Sequence, residues 1–325
     1  MTDILIPYSV LLFILSLLIT VASLSKIIPK LKELARQPIY NGGPSWHAVK
    51  SGTPTMGGIV FLFVFLLITL ISLPLFSASD EWAAMLILSV FSLLNGAIGI
   101  FDDIMKLKRK QNKGLSARQK IVLQTILAVA FLALRSILFG DGTEIRIFEL
   151  TLNLGILYYP LSLVLILGAV NCTNLTDGVD GLLSSVTLIS STIMTMLCLT
   201  IDLPYAVLCS TIVGITLGFL FYNVFPAKVF MGDTGSLFLG AFIISTLYSI
   251  KAPATFFSIG VVFILEGISV ILQVLVFKLT RKRLFLMSPL HHHLERRGFS
   301  ETQICIMAII TTVLCSLPIL IFGAL

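Results

Sequence analysis

Two adjacent carboxylates, Asp102 and Asp103, close a long apolar run, and Lys106 follows them in Gly99-Ile100-Phe101-Asp102-Asp103-Ile104-Met105-Lys106. Ionisable side chains at the edge of an apolar span are costly and mark functional sites more often than ordinary loops. Read as the C-terminal end of a helix, the pair faces the negative pole of the macrodipole. A cation must then offset it, either Lys106 or a divalent metal. A solvated loop start is the plain alternative.

Four more polar clusters could serve the same chemistry. Ser51-Gly52-Thr53-Pro54-Thr55-Met56-Gly57-Gly58 offers Thr53 and Thr55 to a phosphate, or simply enters a helix. Asn171-Cys172-Thr173-Asn174-Leu175-Thr176-Asp177-Gly178-Val179-Asp180-Gly181 holds more amides and acids than one helix cap needs. Asn174 can read a base or sugar, and Asp177 or Asp180 can orient a hydroxyl or ligate a metal. In Asn223-Val224-Phe225-Pro226-Ala227-Lys228-Val229-Phe230-Met231-Gly232-Asp233-Thr234-Gly235-Ser236, a Gly/Thr/Ser-rich helix start can cradle phosphate. There Asp233 either caps the helix or holds a magnesium ion.

The fourth cluster is Pro289-Leu290-His291-His292-His293. Successive side chains on a helix point about 100° apart, so three in a row do not share one ion. Contact with an anionic substrate, or proton transfer, is the better use of His291, His292 and His293. Gln273 can reach the same face. Glu266, seven residues earlier, has no evident role. Lys120 opens an apolar run and serves either as an interfacial anchor or as a charge clamp on pyrophosphate.

These residues need elements to carry them. Of the 325 residues, 57% are hydrophobic and 12% charged, with a mean hydropathy of +1.04. Soluble domains carry about 25% charged residues. The chain therefore reads as an all-α polytopic membrane protein, one integral membrane catalytic domain over 1–325. A span needs about 20 apolar residues. Ten segments qualify: 4–28, 55–76, 82–101, 121–139, 157–174, 182–201, 204–225, 234–250, 254–279 and 303–324.

With both termini outside, 19 of the 22 Lys and Arg residues fall in loops on the cytoplasmic face, as the positive-inside rule requires. The same face gathers the acids, amides and histidines. Trp82, Tyr158, Tyr159, Tyr205 and Tyr248 fall near the outer interface. The net charge of +6 suits topology and phosphorylated or lipid partners, and split among loops it does not suit nucleic acid. Five cysteines without a CxxC read as packing residues. Partial alternation over 144–152 predicts a small hairpin in the longest outer loop. The first span has no basic leader region and is read as retained.

Taken together, Gly-Thr-Pro-Thr-Met-Gly-Gly (52–58), Asp-Asp-Ile-Met-Lys (102–106), Asn-Leu-Thr-Asp-Gly-Val-Asp-Gly (174–181), Phe-Met-Gly-Asp-Thr-Gly-Ser (230–236) and Pro-Leu-His-His-His (289–293) resemble the polyprenyl-phosphate N-acetylhexosamine-1-phosphate transferases. The likeness runs in order from about residue 36 to 298. The first and last strings favour the members that transfer phospho-N-acetylmuramoyl-pentapeptide.

The resemblance implies a Mg2+-dependent enzyme of the bacterial cytoplasmic membrane. It moves phospho-N-acetylmuramoyl-pentapeptide from UDP to undecaprenyl phosphate, giving lipid I and UMP, and acts as a homodimer among membrane lipids. On this expectation Asp233 binds the metal. Asp102 deprotonates or orients the lipid phosphate, with Asp103 in support, and a covalent aspartyl intermediate is less attractive. Lys106 and Lys120 balance phosphate charge. Asn174, Asp177, Asp180 and Asn223 shape the donor pocket, and the three histidines contact the donor. Transfer of N-acetylglucosamine-1-phosphate to the same lipid is the nearest alternative. A transporter predicts midplane charges and an inverted repeat; only Glu266 fits the first, and no inverted repeat is evident. An intramembrane metalloprotease needs a His–Glu spacing the chain lacks.

Overall fold

The computed structural model describes residues 2–35, 52–76, 81–109, 114–147 and 150–322. Four of the 19 inner-loop basic residues, Arg36, Lys50, Lys110 and Lys113, lie outside them, as does Ser51 of the 51–58 cluster. Each of the ten predicted spans corresponds to a helix. These are α1 (Thr2–Leu34), α2 (Gly58–Ser72), α3 (Glu81–Arg109), α4 (Ala117–Phe139), α5 (Tyr158–Thr176), α6 (Leu182–Thr200), α7 (Tyr205–Asn223), α8 (Gly232–Ser249), α10 (Val261–Thr280) and α12 (Glu301–Phe322). Short helices α9 (Phe256–Ile259) and α11 (Leu290–Arg296) flank α10.

Nine of these helices are long and apolar enough to cross a membrane, so the chain is a multi-pass membrane protein. The exception is α8, 18 residues whose positions from Thr234 to Ser249 are all buried. It is the axis of the bundle, packed against α2, α3 and α5. A helix wrapped by protein does not meet lipid and can carry Thr, Ser and Gly at little cost. Phe61, Phe65, Phe238 and Phe242 fill the space around it, with Phe65 edge-on to both Phe238 and Phe242 at 5.1 and 5.4 Å.

Between α4 and α5 lies the predicted hairpin, β1 (Glu144–Ile147) against β2 (Leu150–Asn153), antiparallel with Glu144 opposite Asn153. That end of the bundle also holds Tyr158, 5.5 Å from Tyr159 and 6.4 Å from Tyr248, and Tyr205, whose hydroxyl donates to Glu81. Arg135 closes it with donors to Asp141 at 2.6 Å and Ser249 at 3.0 Å. The acids and lysines of the sequence motifs gather at the opposite end.

Candidate active site

Helix α3 does not stop at the acid pair. It continues to Arg109, so Asp102 and Asp103 sit about two turns inside it. Lys106 is one compensating cation, as expected, and Asp103 is also met by a second helix. The Asp103 carboxylate accepts the backbone N–H groups of Asp233 (3.2 Å) and Thr234 (3.0 Å) and the Thr234 hydroxyl (2.7 Å). It therefore lies at the positive end of α8 and satisfies donors that the first turn of a helix leaves unpaired. Gly99 makes the approach possible: a Cβ there would lie 2.3 Å from the Asp233 carbonyl oxygen.

Lys106 stands one turn after the acids and faces the same way. Its Nζ lies 2.7 Å from Asp102, 3.6 Å from Asp103 and 3.0 Å from Asp233. Lys120 arrives from α4, whose start is fixed by a capping box between Ser116 and Gln119. Lys120 donates to Asp233, and its Nζ lies 3.1 Å from Asp102. The lysine is thus a clamp within the cluster. The other Asp102 oxygen accepts the Leu115 N–H at 2.7 Å, which ties the loop before α4 to the site.

Oxygens of Asp102, Asp103 and Asp233 lie within 4.8 Å of one another. Three carboxylates against two ammonium groups leave an excess of one negative charge. Hard oxygen donors with net negative charge fit Mg2+. Both Asp103 oxygens are already occupied by α8, and both Asp102 oxygens by Leu115 and the two lysines in a fully buried side chain, which leaves Asp233, whose side chain is 14% exposed, as the most accessible donor.

Asp177 sits half-buried in the turn after α5. Burial, and then the charges of Asp233, Asp103 and Asp180, push its carboxyl up to about 8. The folded protein holds a proton that the unfolded chain would release. This contribution to stability is complete below the ordinary value of 3.8 and is lost as pH rises to about 8. Asp177→Asn should flatten the fall in melting temperature of the metal-free protein across that window. Its slope from this group is at most ~1.4 kcal/mol per pH unit. Identical pH profiles for both proteins would show that Asp177 is not the source.

The remaining expected residues divide into two groups. Near the cluster, Asn174 donates to Ser236 at 2.8 Å. Thr55 is buried beside Gly232, where a Cβ would meet Asp103 at 2.5 Å and the Thr55 hydroxyl at 2.9 Å. The segment of Thr55 is pinned by Phe230 N–H to Pro54 (2.8 Å) and Gly57 N–H to Phe230 (2.9 Å), and Thr53 lies at its half-buried edge.

The others are engaged in holding the scaffold. Asn223, 3% exposed, accepts from Gly181 N–H and Ser184 and donates to the Val229 carbonyl. Asp180 accepts the Ala227 N–H at 2.9 Å, while its own N–H donates to Glu301. Gln273 accepts from Leu284 and Phe285 N–H at 3.1 and 2.8 Å and so braces the loop before α11. His293 accepts the Leu286 N–H, and His292 pairs with Glu295 at 2.6 Å. His291 is buried against Glu266, a residue that had no role in the sequence.

Residues 84–251 match the family model described as Glycosyl transferase family 4, and residues 50–62 match Phospho-N-acetylmuramoyl-pentapeptide-transferase signature 1. The chain is similar to the phospho-N-acetylmuramoyl-pentapeptide-transferase of Clostridium acetobutylicum, 39% identical over 97% of this chain and 98% of the relative. It is likewise similar to those of Clostridium perfringens (40%, 89% of each) and Bacillus cytotoxicus (41%, 89% and 90%). Matches that cover 89–97% of this chain reach well past the acid–lysine cluster at residues 102–233, and the chain belongs to the phospho-N-acetylmuramoyl-pentapeptide-transferase family.

Proposed function

We propose that the chain transfers phospho-N-acetylmuramoyl-pentapeptide from UDP to undecaprenyl phosphate, releasing UMP and leaving lipid I in the membrane. The observation that carries this reading is the cluster of Asp102, Asp103 and Asp233 bridged by Lys106 and Lys120 at one end of a membrane-spanning bundle. A lipid phosphate oxygen forms a bond to the sugar-bearing phosphorus of the donor, and the bond from that phosphorus to the oxygen of UMP breaks. One phosphoanhydride replaces another, so catalysis rests on positioning and charge neutralisation.

Asp233 would hold Mg2+, which when bound offsets charge on the donor pyrophosphate. Lys106 and Lys120 are the chain's own cations at that place. Asp102 is fully buried and so reaches a phosphate through the lysines it holds. Asp177, Asn174 and Thr55 border the donor side. The whole chain works as one catalytic unit of the bacterial plasma membrane, as a homodimer. Its acid end faces the cytoplasm, which is supported by the basic residues concentrated in the loops there.

The test is UMP release by purified protein with undecaprenyl phosphate and Mg2+, comparing UDP-N-acetylmuramoyl-pentapeptide with UDP-N-acetylglucosamine. Turnover of the peptide donor is expected. Turnover of the other sugar alone would overturn the substrate and retain the chemistry.

A further inference from the structure

Glu266 lies in α10, and its side chain is 5% exposed, in a helix with the composition of a membrane span. An isolated carboxylate in such a place is strongly disfavoured, so what it touches must justify it. Both of its oxygens lie 3.2 Å from the backbone N–H of His291, which donates to them. One of them is also 3.1 Å from His291 Nδ1. The ring nitrogen approaches off the N–H axis, so this second contact is electrostatic. It favours the tautomer with the ring proton on Nδ1, the nitrogen beside the carboxylate.

The far edge of the same imidazole abuts the turn after α5. A Cβ built on Gly178 would lie 2.1 Å from His291 Nε2 and 2.7 Å from Cε1. No side chain fits between them. His291 is 1% exposed, and its Nε2 has no hydrogen-bond partner among the described residues. The ring is therefore a spacer with one edge on Glu266 and the other on the backbone next to Asp177.

From this chain of contacts we infer that Glu266 is a positioning residue which acts through His291 and Gly178 to set the turn that carries Asp177. It rests on the transferase reading in one respect, that Asp177 borders the nucleotide donor. Glu266 touches neither substrate. Its loss should move the donor side of the site and leave the lipid-phosphate side in place.

Two measurements test this. The first is kinetic, on full-length protein in detergent or nanodiscs. Glu266→Ala should raise KM for the UDP-linked donor by about 10–100-fold, the range for removing a group that orients a functional side chain. KM for undecaprenyl phosphate should change by less than about 3-fold, and Glu266→Gln, which keeps an acceptor for the His291 N–H, should recover most of the loss. Gly178→Ala, with Glu266 intact, should reproduce the donor KM defect by pushing the ring away, so the test survives poor folding of Glu266→Ala. Equal defects toward both substrates, or a wild-type donor KM in Gly178→Ala, would overturn the inference.

The second is spectroscopic and needs no turnover. In 15N-histidine-labelled protein, His291 should carry its proton on Nδ1, and Glu266→Gln should weaken that preference. A proton on Nε2 in the unsubstituted protein would overturn the inference. If no donor is turned over while the nitrogen shifts behave as expected, the transferase reading fails and the positioning contact stands.

Discussion

Asp233→Asn is expected to lower turnover by at least ~10³-fold and to remove the response to Mg2+, while the protein folds. The reasoning is a charge count. The cluster now sets three carboxylates against Lys106 and Lys120 and carries one excess negative charge. Amidation of Asp233 makes it neutral, and a divalent cation loses both a ligand and the field that draws it in. Lys106 loses one of its three carboxylate partners and Lys120 one of its two. The fold should survive, because the start of α8 is held through the backbone N–H groups of residues 233 and 234 and not through the Asp233 side chain. Melting temperatures measured across a Mg2+ titration, beside UMP release, check both halves. Retention of more than about a tenth of the activity, or an unchanged Mg2+-dependent stabilisation, would remove Asp233 from the metal role.

Much of this site could be read from residue types. The spans follow from apolar runs of sufficient length, and the gathering of polar motifs at one end follows from where charge is tolerated in a membrane. The hairpin is visible in the alternation over 144–152. What could not be read was which helix answers which charge. Lys106 answers the acid pair as its spacing predicts, but Asp103 also completes the start of α8, 130 residues away in the chain. Only packing reveals that, and it depends on Gly99, whose lack of a side chain carries no periodic signal. Glu266 is a similar case. A carboxylate within an apolar run announces that something must pair with it, but not that the partner is the backbone of His291, 25 residues on. Asn223, Asp180 and Gln273 show the converse. Polar side chains inside active-site motifs were expected to face substrate, and the structure uses them to satisfy backbone groups around the site, an obligation no motif displays.

The two adjacent acids should separate cleanly when each is replaced. Asp103→Ala leaves the N–H groups of Asp233 and Thr234 and the Thr234 hydroxyl without their acceptor, in a site where only 2% of Asp103 is exposed. A buried donor left unpaired costs roughly 1–3 kcal/mol, so a clear loss of thermal stability should accompany a fall in activity of about 100-fold or more. Asp103→Asn keeps a carbonyl acceptor for part of the set and should recover a good share of the stability. Asp102→Asn works on another contact. Its amide oxygen can still accept from Leu115, so the loop before α4 keeps its tie, while its NH2 faces the two lysines, whose charge remains matched by Asp103 and Asp233. Lys106 and Lys120 can swing away from that NH2 toward Asp233, so stability should fall less than in Asp103→Ala, while turnover falls by ~10²-fold as the lysines lose the carboxylate that aims them. Thermal unfolding and UMP release measured on the same preparations decide the matter. If Asp102→Asn unfolds early and Asp103→Ala does not, the assignment of Asp103 to the start of α8 and of Asp102 to the lysines is reversed.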